Sequence, residues 1–205
     1  KAFKPVEACL EIESLIKYHP RKKTAATTIL QKQIQAFPNN PNILYCLSDI
    51  LIESKLYTES LEYIQALIQN HPSYCDKCLL LMQKIIELYP KHCLALELIG
   101  HIYYQQENYP QALHYFNQCI EISTEPDKIG LDTLLNEIIK NPMEPNQPKA
   151  TLLLAKIHAY SNKYDDALTL IHNLNESEEA INAKLLQSII YNKTHQYNDA
   201  INVLL

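Results

Sequence analysis

The segment 93–126, CLALELIGHIYYQQENYPQALHYFNQCIEISTEP, determines how the rest of the chain is organised. Large apolar residues recur every three or four positions on either side of a polar break, which is the period of two amphipathic helices joined by a tight turn. Small residues, Gly100 and Ala112, stand where the two helices must approach closely, while Leu96 and Phe116 fill the space beside them. The segment therefore predicts a helical hairpin.

The turn of this hairpin has a signature, a tyrosine followed three residues later by a small residue, and the signature recurs along the chain. The four pairs are Tyr57/Ser60, Tyr109/Ala112, Tyr164/Ala167 and Tyr197/Ala200. The last two tyrosines are 33 residues apart, whereas the two earlier intervals are 52 and 55 residues. Each longer interval leaves room for one additional helix, and we place these irregular single helices at 74–89 and 128–140.

Proline interrupts the apolar periodicity at regular points, where it begins or ends a helix. No window alternates apolar and polar residues as a strand does, so we predict an all-α chain. The predicted helices, about twelve in number, are roughly 5–18, 22–37, 41–54, 57–70, 74–89, 93–106, 110–123, 128–140, 148–161, 164–174, 178–193 and 197–205.

The pattern at 93–126 resembles the tetratricopeptide repeat (TPR) family, whose unit has about 34 residues. The residues that carry the resemblance are Leu96, Ile99, Gly100, Tyr103, Tyr109, Ala112, Phe116 and Cys119, with the closing proline two residues late at Pro126. Weaker repeats are visible at 41–74, 148–180 and 181–205, and the weakest at 5–38. The resemblance implies a TPR-like α-solenoid of stacked antiparallel hairpins that binds another protein or a peptide on its concave surface.

The register of the family unit also implies which side chains line that surface. We expect a partner-binding groove formed by Tyr45, Asp49, Glu97, His101, Tyr104, Lys156 and Tyr160. An equally weighted reading is that the tyrosines fill gaps between repeats. The Lys and Asn pair with which some members of the family clamp a terminal carboxylate is missing at the corresponding positions, so we expect no binding of that kind.

One motif could carry metal chemistry. Cys75 and Cys78 form a C-x₂-C pair, and His92 and Cys93 follow, which is the residue set of a zinc site. The competing interpretation is packing, because the two cysteines of the pair stand one helical turn apart and no second C-x₂-C occurs. We favour packing, and we predict no cofactor and no enzyme active site.

Composition narrows the partners. The formal net charge of −5 argues against nucleic acid, and only two glycines occur, which excludes a glycine-rich phosphate loop. No apolar run approaches the length of a membrane span. Of the six cysteines, Cys46 and Cys119 lie within apolar helical periodicity, so we expect buried free thiols, a reducing compartment and hence the cytoplasm.

For the organisation of the chain, we expect a single TPR-like domain over 1–205, with a subdivision into 1–140 and 148–205 at the proline-rich linker 141–148. We read the chain as a fragment of a longer protein. The alternative function is a recruiting or dimerising TPR region of a larger enzyme whose catalytic domain lies outside the chain. Homo-oligomers are a further expectation, because the end of such a stack exposes an apolar helix face. The partner itself is not readable from the sequence.

Overall fold

The computed structural model describes residues 12, 14, 18, 22–123, 130–141 and 143–205. The chain divides into two compact units, residues 1–102 and 103–205. This boundary differs from the subdivision expected at the proline-rich linker, because the helices on either side of that linker share one core. The predicted helix 5–18 lies outside the described residues, apart from three positions. Within the described ranges every regular element is helical.

In its described residues from 22 onward, the first unit contains four helices and the beginning of a fifth. They are α1 Lys23–Ala36, α2 Pro41–Glu53, α3 Tyr57–Asn70, α4 Cys75–Leu88 and α5 Cys93–Gln105, with one 3-10 turn, Pro72–Tyr74, before α4. The described part of the second unit holds the last residues of α5 and six more helices. These are α6 Tyr109–Ile122, α7 Asp132–Lys140, α8 Gln147–Tyr160, α9 Tyr164–His172, α10 Ala180–Lys193 and α11 Tyr197–Asn202.

The four tyrosine signatures all mark the same turn. Two residues before each tyrosine lies a residue in the left-handed conformation, with φ between 57° and 63°: Lys55, Glu107, Asn162 and His195. The next N–H donates to a carbonyl five residues back, as from Leu56 to Leu51 at 2.9 Å and from Lys163 to His158 at 2.8 Å. A left-handed residue followed by this hydrogen bond is the Schellman motif, which satisfies the last carbonyl groups of a helix. Each tyrosine signature in the sequence therefore marks the same backbone turn in the structure.

The small residue of each signature is buried, fully at Ser60, Ala112 and Ala167 and nearly so at Ala200. In two of the hairpins a hydrogen bond shows that it lies where the two helices touch. In the α2–α3 hairpin, the Ser60 hydroxyl donates to the Ser48 carbonyl of the facing helix at 2.9 Å. In the α10–α11 hairpin, Ser188 donates to the Ala200 carbonyl at 3.0 Å. A larger side chain would separate the two backbones at these points.

Both additional helices predicted from the tyrosine spacing are confirmed, as α4 and α7. The α7 helix contributes Leu135 and Ile138 to a core cluster with Phe116 of α6 and Leu153 of α8, and all four side chains are at least 95% buried. A second cluster of this unit joins α8, α9 and α10, and the first unit has a cluster formed by α1 and α2. The irregular helix α7 is thus part of the core between α6 and α8.

The cysteines correct one prediction. Cys46, Cys75 and Cys78 are buried and lie outside any disulfide, as expected for Cys46. The expectation of a free thiol at Cys119 is wrong, because Cys93 and Cys119 are both disulfide-bonded. Disulfides persist in oxidising compartments, so the cysteines no longer favour a reducing compartment, and the cytoplasmic location stays a prediction. Within the described ranges, no helix combines the length and the apolarity that crossing a bilayer requires.

Candidate functional site

The second unit contains a cavity of about 540 Å³ between α6, α8 and α10. Its lining is partly apolar and partly charged. The lining residues are Pro110, Leu113, His114 and Asn117 of α6, Lys149, Leu152, Leu153, Lys156 and Tyr160 of α8, Glu179 before α10, and Asn182, Leu185, Leu186 and Ile189 of α10. A volume of this size is typical of sites that accommodate a small ligand or a few side chains of a peptide.

Helical periodicity explains why these side chains converge. On each of the three helices the lining residues follow one another at intervals of three or four, which places them on a single face. The face of α8 passes through Lys149, Leu152 and Lys156, and the face of α10 passes through Asn182, Leu185 and Ile189. The cavity is therefore built on regular helices and not on loops.

The middle of the cavity is apolar and open to solvent on one side. Leu185 is 53% exposed, and Ile189 and Tyr160 are each 45% exposed, whereas Leu152 and Leu153 behind them are 5% exposed. The exposed side chains lie over a packed floor, so they can gain contacts with a ligand without unpacking the core. Exposed apolar side chains clustered in a cleft are typical of interaction sites.

A polar network forms one edge of the cavity. The Lys156 ammonium of α8 donates to Asn117 Oδ1 of α6 at 2.7 Å, and Asn117 Nδ2 donates to Glu121 Oε1 at 2.9 Å. Lys156 Nζ also lies 3.6 Å from the same Glu121 oxygen. Asn117 thus contacts both the Lys156 ammonium and the Glu121 carboxylate, and the Glu121 side chain is 55% exposed.

Charged groups of both signs lie toward the N-terminal ends of α8 and α10. Lys149 Nζ lies 3.6 Å from Glu178 Oε1, and both side chains are about half exposed. Glu179 Oε2 accepts a hydrogen bond from Asn182 Nδ2 at 2.6 Å. At the opposite end, Lys193 Nζ lies 5.7 Å from the centroid of the Tyr160 ring, which is a cation–π distance.

Of the side chains predicted to line a groove, the structure places Lys156 and Tyr160 in this cavity. Tyr104 lies in the same unit but is engaged with α7, where its hydroxyl donates to a Glu137 carboxylate oxygen. Its ring also packs edge to face on Tyr109, with centroids 5.6 Å apart. Burial and the neighbouring Glu137 raise the pKa of Tyr104, so the phenol stays neutral and remains a hydrogen-bond donor.

The predicted residues of the first unit contact its own helices. Asp49 of α2 pairs with Lys84 of α4 at 2.7 Å, and this hydrogen bond raises the pKa of Lys84. The Tyr45 ring packs edge to face on Tyr74, with centroids 6.4 Å apart.

Glu97 and His101, one turn apart on α5, approach to 3.6 Å between Glu97 Oε1 and His101 Nε2. Their role in binding, like that of Tyr45 and Asp49, stays a prediction.

The family register did not point to the lining residues of α6, and the lining residues of α10 were not among the predicted groove residues. In a regular array the first helix of each hairpin lines the groove, but the additional helix α7 follows α6 and changes the face that α6 presents. As a result α6, a second helix, lines the same cavity as the first helices α8 and α10. The sequence feature that could have indicated this arrangement is the 55-residue interval between Tyr109 and Tyr164, because it requires an additional helix between these tyrosines.

The cysteines of the zinc hypothesis are arranged as packing residues. Burial raises the pKa of the Cys78 thiol to about 12 and also raises that of Cys75, which opposes the deprotonation that a zinc ligand needs. Cys93 is disulfide-bonded, and burial lowers the pKa of His92. Among the described residues, no three His, Cys, Asp or Glu side chains converge as a metal site would require.

The comparisons with known proteins bear on the hairpin formed by α5 and α6. The sequence profile of the tetratricopeptide repeat family matches residues 93–125. Among curated proteins, none is significantly similar to the chain. The crystal structure of MamA is 13% identical over 91% of this chain and 87% of that chain, with a TM-score of 0.27, which is too low to add to the argument. The chain therefore contains a tetratricopeptide repeat at residues 93–125, and the backbone turn of that repeat recurs before Tyr57, Tyr164 and Tyr197.

Proposed function

We propose that the chain binds a peptide segment of another protein in the cavity between α6, α8 and α10. Tetratricopeptide repeats are protein-interaction modules, so a binding role follows from the family. The location of the site is our inference from one observation, the cluster of solvent-exposed apolar side chains over a packed floor at Leu185, Ile189 and Tyr160. In this proposal the described residues act by binding and not by catalysis.

The test uses the chain as bait to isolate a partner and then measures the affinity of that partner for variants. Leu185→Asp introduces a charge into the middle of the cavity, and we expect it to weaken binding at least tenfold, because apolar anchors at the centre of an interface carry most of its energy. The matched control is Ile181→Asp, which changes a residue of the same helix that is 82% exposed and does not line the cavity. Equal affinity of the partner for both variants would contradict the proposed site.

A second candidate is self-association through the outer face of α10 and α11. Tyr197, Ile201 and Leu204 are each more than half exposed around a hollow of about 300 Å³. In the α2–α3 hairpin, which has the same left-handed turn, the residues in register with Ile201 and Leu204 are Leu61 and Ile64, and both are fully buried. The same face is therefore covered in one hairpin and open in the other.

Light scattering over a concentration series tests this candidate. We expect a dimer that forms with increasing concentration and that Ile201→Asp abolishes. A monomer at every concentration, with Ile201→Asp indistinguishable from the unmodified chain, would exclude self-association through this face.

A further inference from the structure

The cavity between α6, α8 and α10 is electrically polarised along its length. Toward the C-terminal ends of α8 and α10, Lys156 lies one turn before Tyr160 and 3.6 Å from Glu121, and Lys193 Nζ lies 5.7 Å from the centroid of the Tyr160 ring. At the N-terminal ends of the same helices, two carboxylates, Glu178 and Glu179, accompany the single ammonium of Lys149. With Glu121 counted, the first end has two ammonium groups and one carboxylate, and the second has two carboxylates and one ammonium group. Leucine and isoleucine side chains lie between the two ends.

From this arrangement, and resting on the peptide-binding function proposed above, we infer the chemistry and the direction of the ligand. We propose that the cavity binds an extended peptide segment with an acidic side chain at the Lys156 end, a basic side chain at the Glu179 end and aliphatic side chains between them. Charge complementarity of this kind fixes register and orientation more than it adds affinity. The aliphatic side chains would rest on Leu185 and Ile189.

The length of the cavity sets the spacing of the charges in the ligand. Lys149 and Lys156 are separated by seven residues of α8, or about 10 Å at a rise of about 1.5 Å per residue. An extended chain rises about 3.3 Å per residue, so the acidic and basic side chains of the ligand are about three positions apart.

The network around Lys156 indicates how the acidic side chain is received. Asn117 fixes the ammonium from the α6 side, whereas Glu121, at 3.6 Å and 55% exposed, is an internal anion that competes for it. A ligand carboxylate would take the place that Glu121 partly occupies. Neutralising Glu121 should therefore tighten the binding of an acidic ligand, an effect opposite in sign to that of neutralising Lys156.

The experiment is a selection from a displayed library of random twelve-residue peptides against the chain, followed by affinity measurements on synthetic peptides. We expect enrichment of an acidic residue about three positions from a basic one, with aliphatic residues between. Exchanging the two charges of an enriched peptide should weaken binding about tenfold, as should Lys156→Gln, because each removes a charge-assisted hydrogen bond. Glu121→Gln should tighten binding about twofold to threefold, and the control Lys184→Gln, an exposed lysine of α10 outside the cavity, should leave it unchanged.

Leu185→Asp separates the two proposals. If enriched peptides lose binding in Leu185→Asp but tolerate exchanged charges and Lys156→Gln, the peptide site stands and the charge inference is overturned. If they bind Leu185→Asp as well as the unmodified chain, or if no peptide is enriched, the proposed function falls and the inference falls with it. If a small amphiphilic carboxylate binds the cavity and no peptide does, the peptide-binding function is likewise contradicted.

Discussion

The substitution Phe116→Ala tests the packing of the core that positions the cavity. The Phe116 ring is fully buried in the cluster that joins α6, α7 and α8. The same cluster holds Leu153, which also lines the cavity, so the packing of Phe116 and the shape of the site depend on one another. The perturbation therefore probes whether the additional helix α7 is an integral part of the second unit.

The magnitude follows from burial. Replacing a fully buried phenylalanine by alanine costs about 3–5 kcal/mol, the sum of lost transfer free energy and the cavity that remains. With a urea dependence of about 2 kcal/mol per M, a loss of about 4 kcal/mol lowers the unfolding midpoint by about 2 M. Domains have only about 5–15 kcal/mol of stability in total, so the second unit should be strongly destabilised.

The assay is urea unfolding followed by far-ultraviolet circular dichroism, with Phe37→Ala as the matched control. Phe37 is 42% exposed at the end of α1, so the same substitution there should cost about 1 kcal/mol or less. A loss below about 1 kcal/mol for Phe116→Ala, or equal losses for the two variants, would refute the packing of α6, α7 and α8 described above.

Three further predictions concern the turns, the thiols and the pH dependence. Glu107→Gly should raise the unfolding free energy by about 0.5–1 kcal/mol, because residue 107 has a φ of 57° that glycine adopts without strain; a lower unfolding free energy in urea would contradict the turn geometry. Cys78 should resist thiol reagents at pH 8 until the protein unfolds, because it is fully buried and its pKa is about 12; modification faster than unfolding, located by peptide mass spectrometry, would contradict its burial. Burial lowers the pKa of His92, so its contribution to stability is present above its ordinary pKa and is lost as the pH falls through and below that value. His92→Gln should therefore reduce the loss of thermal stability between pH 7.5 and 5, and an unchanged pH profile would contradict this assignment.

The spacing of the tyrosines was sufficient to predict most of the fold. It identified four hairpins, and it required α4 and α7 because intervals of 52 and 55 residues exceed one repeat by the length of one helix. The Schellman turns themselves were hidden, since the left-handed positions are occupied by Lys55, Glu107, Asn162 and His195, none of which is glycine. The physical reason is that the buried hairpin contacts compensate for the strain at these residues.

The candidate site was predicted only in part, because its composition depends on how an irregular helix reorients its neighbours. Lys156 and Tyr160 lie on first-helix positions and were found from the register, whereas Asn117 lies on a second helix that the register assigns elsewhere. Likewise, the oxidation of Cys119 depends on the approach of another sulfur in space, which sequence spacing does not report. Both gaps arise from contacts between residues that are distant in the sequence.

The central claim, that the cavity between α6, α8 and α10 is the binding site, is tested most directly by methyl nuclear magnetic resonance. The chain, labelled at leucine and isoleucine methyl groups, is titrated with the isolated partner or with a selected peptide. We predict that the largest shifts occur at Leu152, Leu185 and Ile189, which line the cavity, and that Leu47 and Ile64 of the first unit do not change. Shifts confined to the first unit, with the cavity methyl groups unchanged at saturation, would contradict the account.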